Sequence, residues 1–146
     1  AMQWGQDNEE RSRMEYEAAT GAMVEQVGFI KHPTLPMIGG SPEGLIDEDG
    51  GWESKSPYNS AIHLTTILNG MPAEHAAQVQ GLMWITGRAW WDFASFSPDF
   101  PEPLRLKVRR LYAKDIDMAA HELAVRLFLS EVDAELREVE SLMVGV

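Results

Sequence analysis

The sequence predicts an α+β domain with a mixed central sheet flanked by helices, and three features point there. A polar but helix-favouring opening stretch, residues 5–20, is closed by Gly21. An Asp-Gly turn sits between extended segments at residues 47–51. A segment alternating apolar and basic residues at 104–111 leads into a long amphipathic C-terminal stretch.

Taken in order, residues 23–30 read as a short strand ahead of the turn-rich His32-Pro33-Thr34-Leu35-Pro36. A hairpin follows, with arms at 37–46 and 52–56 around the Asp-Gly turn, and Pro57 ends the second arm. Residues 59–69 fit either helix or loop. Pro72 opens a firmer helix with Ala76, Val79, Leu82 and Met83 on one face and Gly87 as its stop. Residues 89–96 are aromatic and β-prone, and a turn rich in proline (Pro98, Pro101, Pro103) precedes the alternating strand. Asp115 is the expected cap of a final helix carrying Ile116, Leu123, Leu127, Val132, Leu136 and Val139 at helical spacing. There are no repeats, low-complexity tracts or linkers, so residues 1–146 read as a single domain.

Composition narrows the function. The 146 residues are 45% hydrophobic and 24% charged, which suits a chain able to bury a core without cross-links. The absence of cysteine excludes disulfides, thiolate zinc sites and a cysteine nucleophile. Apolar runs are short and broken by charge, and the N-terminus lacks the order of a signal peptide, so no membrane span or secretion signal is expected; the lack of cysteine fits an expected cytoplasmic setting. With 12 Lys+Arg against 23 Asp+Glu, the net charge of −11 opposes a phosphate polymer. Any nucleic-acid function therefore requires a local reversal of that field.

The chemistry-bearing stretch is Ser41-Pro42-Glu43-Gly44-Leu45 followed by Trp52-Glu53-Ser54-Lys55-Ser56-Pro57. Alternation along a strand puts Glu53 and Lys55 on one face and Trp52 and Ser54 on the other. Hairpin pairing can bring Glu43 across from Glu53, so two carboxylates and an ammonium converge. Oxygen ligands of this kind hold Mg²⁺, which keeps several waters and acts on phosphodiesters. Lys55 in that setting orients the attacking water or stabilises developing charge. A solvated polar strand face over a buried Trp52 accounts for the same pattern without catalysis, and the residues alone leave both readings open.

The order of motifs resembles the PD-(D/E)xK nuclease superfamily, specifically its lambda exonuclease (YqaJ-type) branch. The marks are Trp4-Gly5 with Glu9, then Ser41-Pro42-Glu43-Gly44-Leu45, Glu53-Ser54-Lys55-Ser56-Pro57, and Ala77-Gln78-Val79-Gln80 followed by Met83-Trp84. The resemblance implies a restriction-endonuclease-like core whose hairpin carries the active site. It implies that Glu43 and Glu53 hold Mg²⁺ (or Mn²⁺ in its place), together with the backbone carbonyl of Ser54. Glu9 would approach the metal through water, Lys55 would be the catalytic lysine, and Gln78 would stand beside the centre. By the same resemblance the chain removes nucleotides from duplex DNA ends, 5′ to 3′, in phage-type recombination of bacterial or phage origin. It would work as a ring-shaped trimer with a single-strand annealing protein as partner. A structure-specific endonuclease, or a degenerate domain that binds DNA or protein without cutting, are the alternatives. Two departures bear on activity: the first acid is Glu43 where aspartate is usual, and Ser54 stands where a branched apolar residue is usual. The family's upstream N-terminal segment, which helps grip the DNA end, is expected to be missing.

Outside these motifs, His75 lies one turn before Gln78 and is a candidate for phosphate contact, against the plainer reading of a structural helix histidine. Histidines 32, 63 and 121 show no ligand spacing. Trp84, Trp90 and Trp91 are assigned to the core rather than to base stacking. Arg105, Lys107 and Arg109 belong to the densest basic group of the chain and are candidate DNA contacts, with a solvated strand face as the alternative.

Overall fold

The hydrogen-bonding side chains of the first helix explain why it looked polar in sequence. Helix α1 (Met2–Thr20) ends at Gly21 in the left-handed region, and it buries Asn8, Ser12 and Tyr16, which recur every four residues on one face. Ser12 Oγ meets Ser54 Oγ at 2.6 Å, and Tyr16 donates to Asp92 Oδ2 at 2.6 Å. The buried face of α1 is thus specified by hydrogen bonds as much as by apolar area.

The computed structural model describes residues 1–145 and divides them into two compact units, Ala1–Ile116 and the segment beginning at Asp117. The first unit carries β1 (Ile30–Lys31), β2 (Gly39–Gly40), β3 (Gly44–Ile46), β4 (Gly50–Lys55), α2 (Ser60–Asn69), α3 (Ala73–Thr86), β5 (Trp90–Phe96), α4 (Glu102–Arg105) and β6 (Leu106–Tyr112). Four strands form the main sheet in the order β3-β4-β5-β6, with β4 and β5 parallel and the other pairs antiparallel. The parallel crossover runs through α2 and α3, as such connections require. The second unit is one helix, α5 (Met118–Val144), with exposed Leu123, Leu127, Phe128 and Leu136. Among the described residues, no helix is long and apolar enough to cross a membrane.

The two faces of the sheet are distinct. One carries Trp52, Ser54, Asp92 and Ala94, covered by α1, with Tyr16 and Trp52 rings 5.9 Å apart. On this face Asp92 is buried yet fully satisfied, since Arg110 donates to both its oxygens at 2.7 and 2.9 Å. Burial and the Asp92 carboxylate push the Tyr16 phenol well above its usual range, so its hydroxyl stays a donor. The other face carries Glu53, Lys55, Phe93 and Ser95, approached by α2 through His63 and by α3 through His75.

Several sequence expectations need correction. Residues 23–30 form no continuous strand; they give one bridge, Glu25 with Leu45, and Ile30, the first residue of the two-residue β1. The first hairpin arm is split, β2 pairing with β1 and only β3 pairing with β4. The residues at 59–69 are helical, capped by Asn59, whose side chain accepts from Ala61 N. Asp115 closes a short 3-10 turn, and the cap of α5 is Asp117, which accepts from Ala120 N at 2.9 Å. A carboxylate two residues later was better placed to meet the free N–H groups of the helix start. Trp91 is fully buried as expected, whereas Trp90 is half-buried with the Arg110 guanidinium 3.7 Å above its ring.

Glycine is required at two adjacent positions of β4. A Cβ at Gly50 would enter the ring of Trp90, and one at Gly51 would enter the ring of Trp91. Gly51→Ala is expected to lower stability by about 2–3 kcal/mol, read as a reduced urea midpoint with unchanged slope. Arg110→Ala is expected to lose about 2 kcal/mol by the same measurement, because it strands the buried Asp92 carboxylate.

Candidate active site

The site begins with the register of the β3–β4 hairpin. Gly44 pairs with Trp52, so the next step outward sets Glu43 opposite Glu53. Arg88 clasps the turn, its Nη1 donating to the carbonyls of Ile46, Asp47 and Gly50 at 3.3, 2.8 and 2.9 Å. Glu43 is fixed from the far arm, where Ser54 N donates to its Oε2 at 2.6 Å.

Around Glu53 the groups close in. Lys55 Nζ lies 2.7 Å from Glu53 Oε1 and 3.6 Å from Glu43 Oε1. Gln78, on α3, donates to the same Glu53 Oε1 at 2.9 Å. Glu53 is buried at 1% exposure, and its Oε2 has no hydrogen-bond partner among the described residues. Both donors therefore load one oxygen and leave the other bare. A buried bare carboxylate oxygen is costly unless something fills it.

The electrostatics tell the same story. Burial, then the neighbouring Glu53 charge, push the Glu43 carboxyl up to about 8, against the opposing pull of Lys55 and the Ser54 amide. Glu9 adds a smaller push in the same direction. Burial alone would lower Lys55, but the hydrogen bond and charge of Glu53 and the charge of Glu43 outweigh it and raise the ammonium. Lys55 accordingly stays a proton donor. His75 moves the other way, lowered by burial and by Lys55, and its ring stacks on Phe93 at 5.4 Å between centroids.

Beside this cluster lies a cavity of about 360 Å³, lined among others by Glu9, Glu43, Ser54, Lys55, His75 and Ser95. Met2, Ile62, Pro72 and Phe93 line it as well. A divalent cation suits this donor set: two carboxyl groups at one point, one of them pushed toward its neutral form by the other, and one oxygen unpartnered. Among the described residues no group of three or more His, Cys, Asp or Glu gathers as a metal cage. The oxygen-poor set matches Mg²⁺, which keeps several waters, better than a cation that needs six or more protein oxygens.

The structure thus brings Glu43, Glu53, Lys55, Ser54 and Gln78 together, with Glu9 and His75 in the cavity wall. It does not bring Arg105 there: that side chain pairs with Glu15 at 3.0 Å and lines a separate hollow with Glu102 and Leu106. Lys107 and Arg109 project from β6 on the face shared with Glu53 and Lys55, outside the cavity.

Sequence reading missed Ser95 and gave no role to His63. His63 is fully buried; its Nε2 bonds the Leu104 carbonyl and its Nδ1 bonds Ser95 Oγ, both at 2.8 Å. A carbonyl only accepts, so Nε2 holds the proton and Nδ1 accepts from the Ser95 hydroxyl. His63 is therefore structural, tying α2 to β5 beneath the cavity. No sequence signal announced it, because its two partners lie 32 and 41 residues away.

The model of the YqaJ-like viral recombinase domain matches residues 1–89, a span that contains Glu9, Glu43, Glu53, Lys55 and Gln78. An alkaline exonuclease from Laribacter hongkongensis, LHK-Exo, superposes with a TM-score of 0.91 at 35% identity, over 99% of this chain and 75% of that one. The structure of LHK-Exo in complex with dAMP gives 0.92 at 36%, over 99% and 74%. A phage-related exonuclease from Haemophilus somnus 129PT shares the fold alone, with a TM-score of 0.61 at 12% identity, over 76% of this chain and 60% of that one. Among curated proteins, no sequence matches the chain significantly. The chain belongs to the YqaJ-like viral recombinase family, the nuclease branch whose motif order it carries around the β3–β4 hairpin.

Proposed function

We propose that this chain is a Mg²⁺-dependent exodeoxyribonuclease that hydrolyses duplex DNA from its ends, 5′ to 3′, in phage-type recombination. The observation that carries the reading is that Lys55 joins Glu43 and Glu53 at the edge of one cavity, with one buried Glu53 oxygen left without a partner. The 36% identity to LHK-Exo, a protein crystallised with dAMP, supports a deoxynucleoside monophosphate as the product class.

In this reading Glu43, Glu53 and the Ser54 carbonyl would hold the metal, with Glu9 reaching it through water. A divalent ion there would offer positive charge to the phosphate and lower the pKa of a water bound to it. Gln78 fixes the rotamer of Glu53 by holding Oε1. Lys55 remains charged, so it stabilises negative charge developing on the phosphate and orients the water rather than taking its proton. His75, held neutral by burial and Lys55, presents a ring nitrogen to a phosphate oxygen from the cavity wall. Mn²⁺ is an acceptable substitute on the same oxygen donors. A ring trimer and a single-strand annealing partner belong to the same proposal by kinship with the family.

The test is digestion of 5′-phosphorylated linear duplex with and without Mg²⁺, beside covalently closed circles. Mononucleotides should be released from linear DNA only with the metal, and Lys55→Ala should reduce the rate at least about 100-fold. Cleavage of closed circles would instead establish an endonuclease, and no metal-dependent product would leave a non-catalytic domain. End-labelling each strand separately reads the polarity.

Metal binding has its own readout in stability. Mg²⁺ at about 100 times its dissociation constant should add roughly 2.7 kcal/mol, seen as a melting-temperature rise. Glu43→Gln keeps an oxygen for the Ser54 amide but removes the repulsion with Glu53. It should leave metal-free stability equal or higher while abolishing the rise; retention of the full rise would remove Glu43 from the ligand set.

A further inference from the structure

Two of the three sequence-predicted basic residues share a setting that the third does not. In the register across the sheet, Glu53 pairs with Phe93 and Phe93 with Arg109, while Lys55 pairs with Ser95 and Ser95 with Lys107. Directly opposed residues project to the same face, so both rows run from the catalytic pair to a cation two strands away. That separation is about 10 Å at the usual strand spacing.

Lys107 and Arg109 are exposed and, among the described residues, neither has a carboxylate within ion-pair distance. Their neighbours on the same segment are spent: Arg105 on Glu15 and Arg110 on Asp92. Both unpaired cations line a polar hollow of about 330 Å³ with Thr66, Asn69 and Gly70 at the end of α2. Thr66 and Phe93 also line the catalytic cavity, so the two hollows share a wall. In a chain of net charge −11, two adjacent uncompensated cations on the active-site face reverse the field locally.

We infer that the Lys107–Arg109 hollow is a backbone subsite, gripping phosphates of the DNA outside the nucleotide being removed. This rests on the nuclease reading above and adds where the rest of the substrate is held. The two cations stand about 6.7 Å apart along β6 and offer separate contacts to the sugar-phosphate chain, with no reading of base identity. Arg105 is excluded from the subsite by its bond to Glu15.

The experiment measures binding of a 5′-phosphorylated duplex by fluorescence anisotropy, with Mg²⁺, in a Lys55→Ala background, between 50 and 200 mM salt. Lys107→Gln with Arg109→Gln should weaken binding about ten-fold at 50 mM and reduce the slope of log K against log salt by about 2. In the otherwise wild-type enzyme the same pair should raise KM and leave kcat at saturating DNA unchanged. Lys31→Gln with Lys114→Gln removes equal charge elsewhere and should leave the slope intact. Overturning results are an unchanged slope in the Lys107/Arg109 variant, an equal fall in the control pair, or a loss confined to kcat. Digestion of linear DNA by the wild-type enzyme with an unchanged slope sinks the subsite alone. Neither digestion nor duplex binding by the wild-type chain sinks the nuclease reading and the subsite with it.

Discussion

The register of the β3–β4 hairpin is the constraint on which the site depends. Pairing Gly44 with Trp52 sets Glu43 against Glu53 and turns Lys55 to the same side. A slip of one residue would carry Glu53 and Lys55 to the face of α1 and Trp52 into the cavity. The register is enforced from outside the hairpin. Arg88 holds three carbonyls of the turn, and glycines at 44, 50 and 51 accept Val24, Trp90 and Trp91 where any side chain would collide. Packing and alignment are therefore one problem, because the bulky partners that need glycine permit only this alignment.

The two faces of the sheet treat buried carboxylates in opposite ways. Asp92, beneath α1, has both oxygens occupied by Arg110 and one also by Tyr16. Glu53, one strand away on the opposite face, has both its donors on one oxygen and none, among the described residues, on the other. The first arrangement neutralises a charge and fixes the sheet. The second leaves a charge incompletely answered next to another carboxylate, which is what an ion-binding position needs and what a purely structural one avoids. A solvated strand face, the alternative that the Glu-x-Lys pattern left open, does not account for a Glu53 that is 1% exposed.

The acidity of the chain also becomes intelligible in three dimensions. Most of its basic side chains near the sheet are tied to particular partners, as Arg105 to Glu15 and Arg110 to Asp92. Net charge alone says nothing of where unpaired cations stand. Lys107 and Arg109 stand exposed on the sheet face that also carries Glu53 and Lys55.

Local signals determined much of this protein. Gly21 and Gly87 stop helices in the left-handed conformation, a hairpin forms where the Asp-rich turn was expected, though it turns at 47–49 on a left-handed Asp47 with Gly50 already in β4, and alternation separates Glu53 and Lys55 from Trp52 and Ser54, all set by neighbours in sequence. The motif order likewise identified the family. The strand expected at 23–30 was not decided locally, since pairing depends on a partner, and only Glu25 and Ile30–Lys31 find one. The polar stripe of α1 carried no hydrophobic signal, because Ser12 and Tyr16 are buried by hydrogen bonds to residues 42 and 76 positions away. The tertiary structure alone split the basic segment, assigning Arg105 to an ion pair and leaving Lys107 and Arg109 free. Charge acts through space, and sequence spacing cannot show which carboxylate a folded chain sets beside each cation.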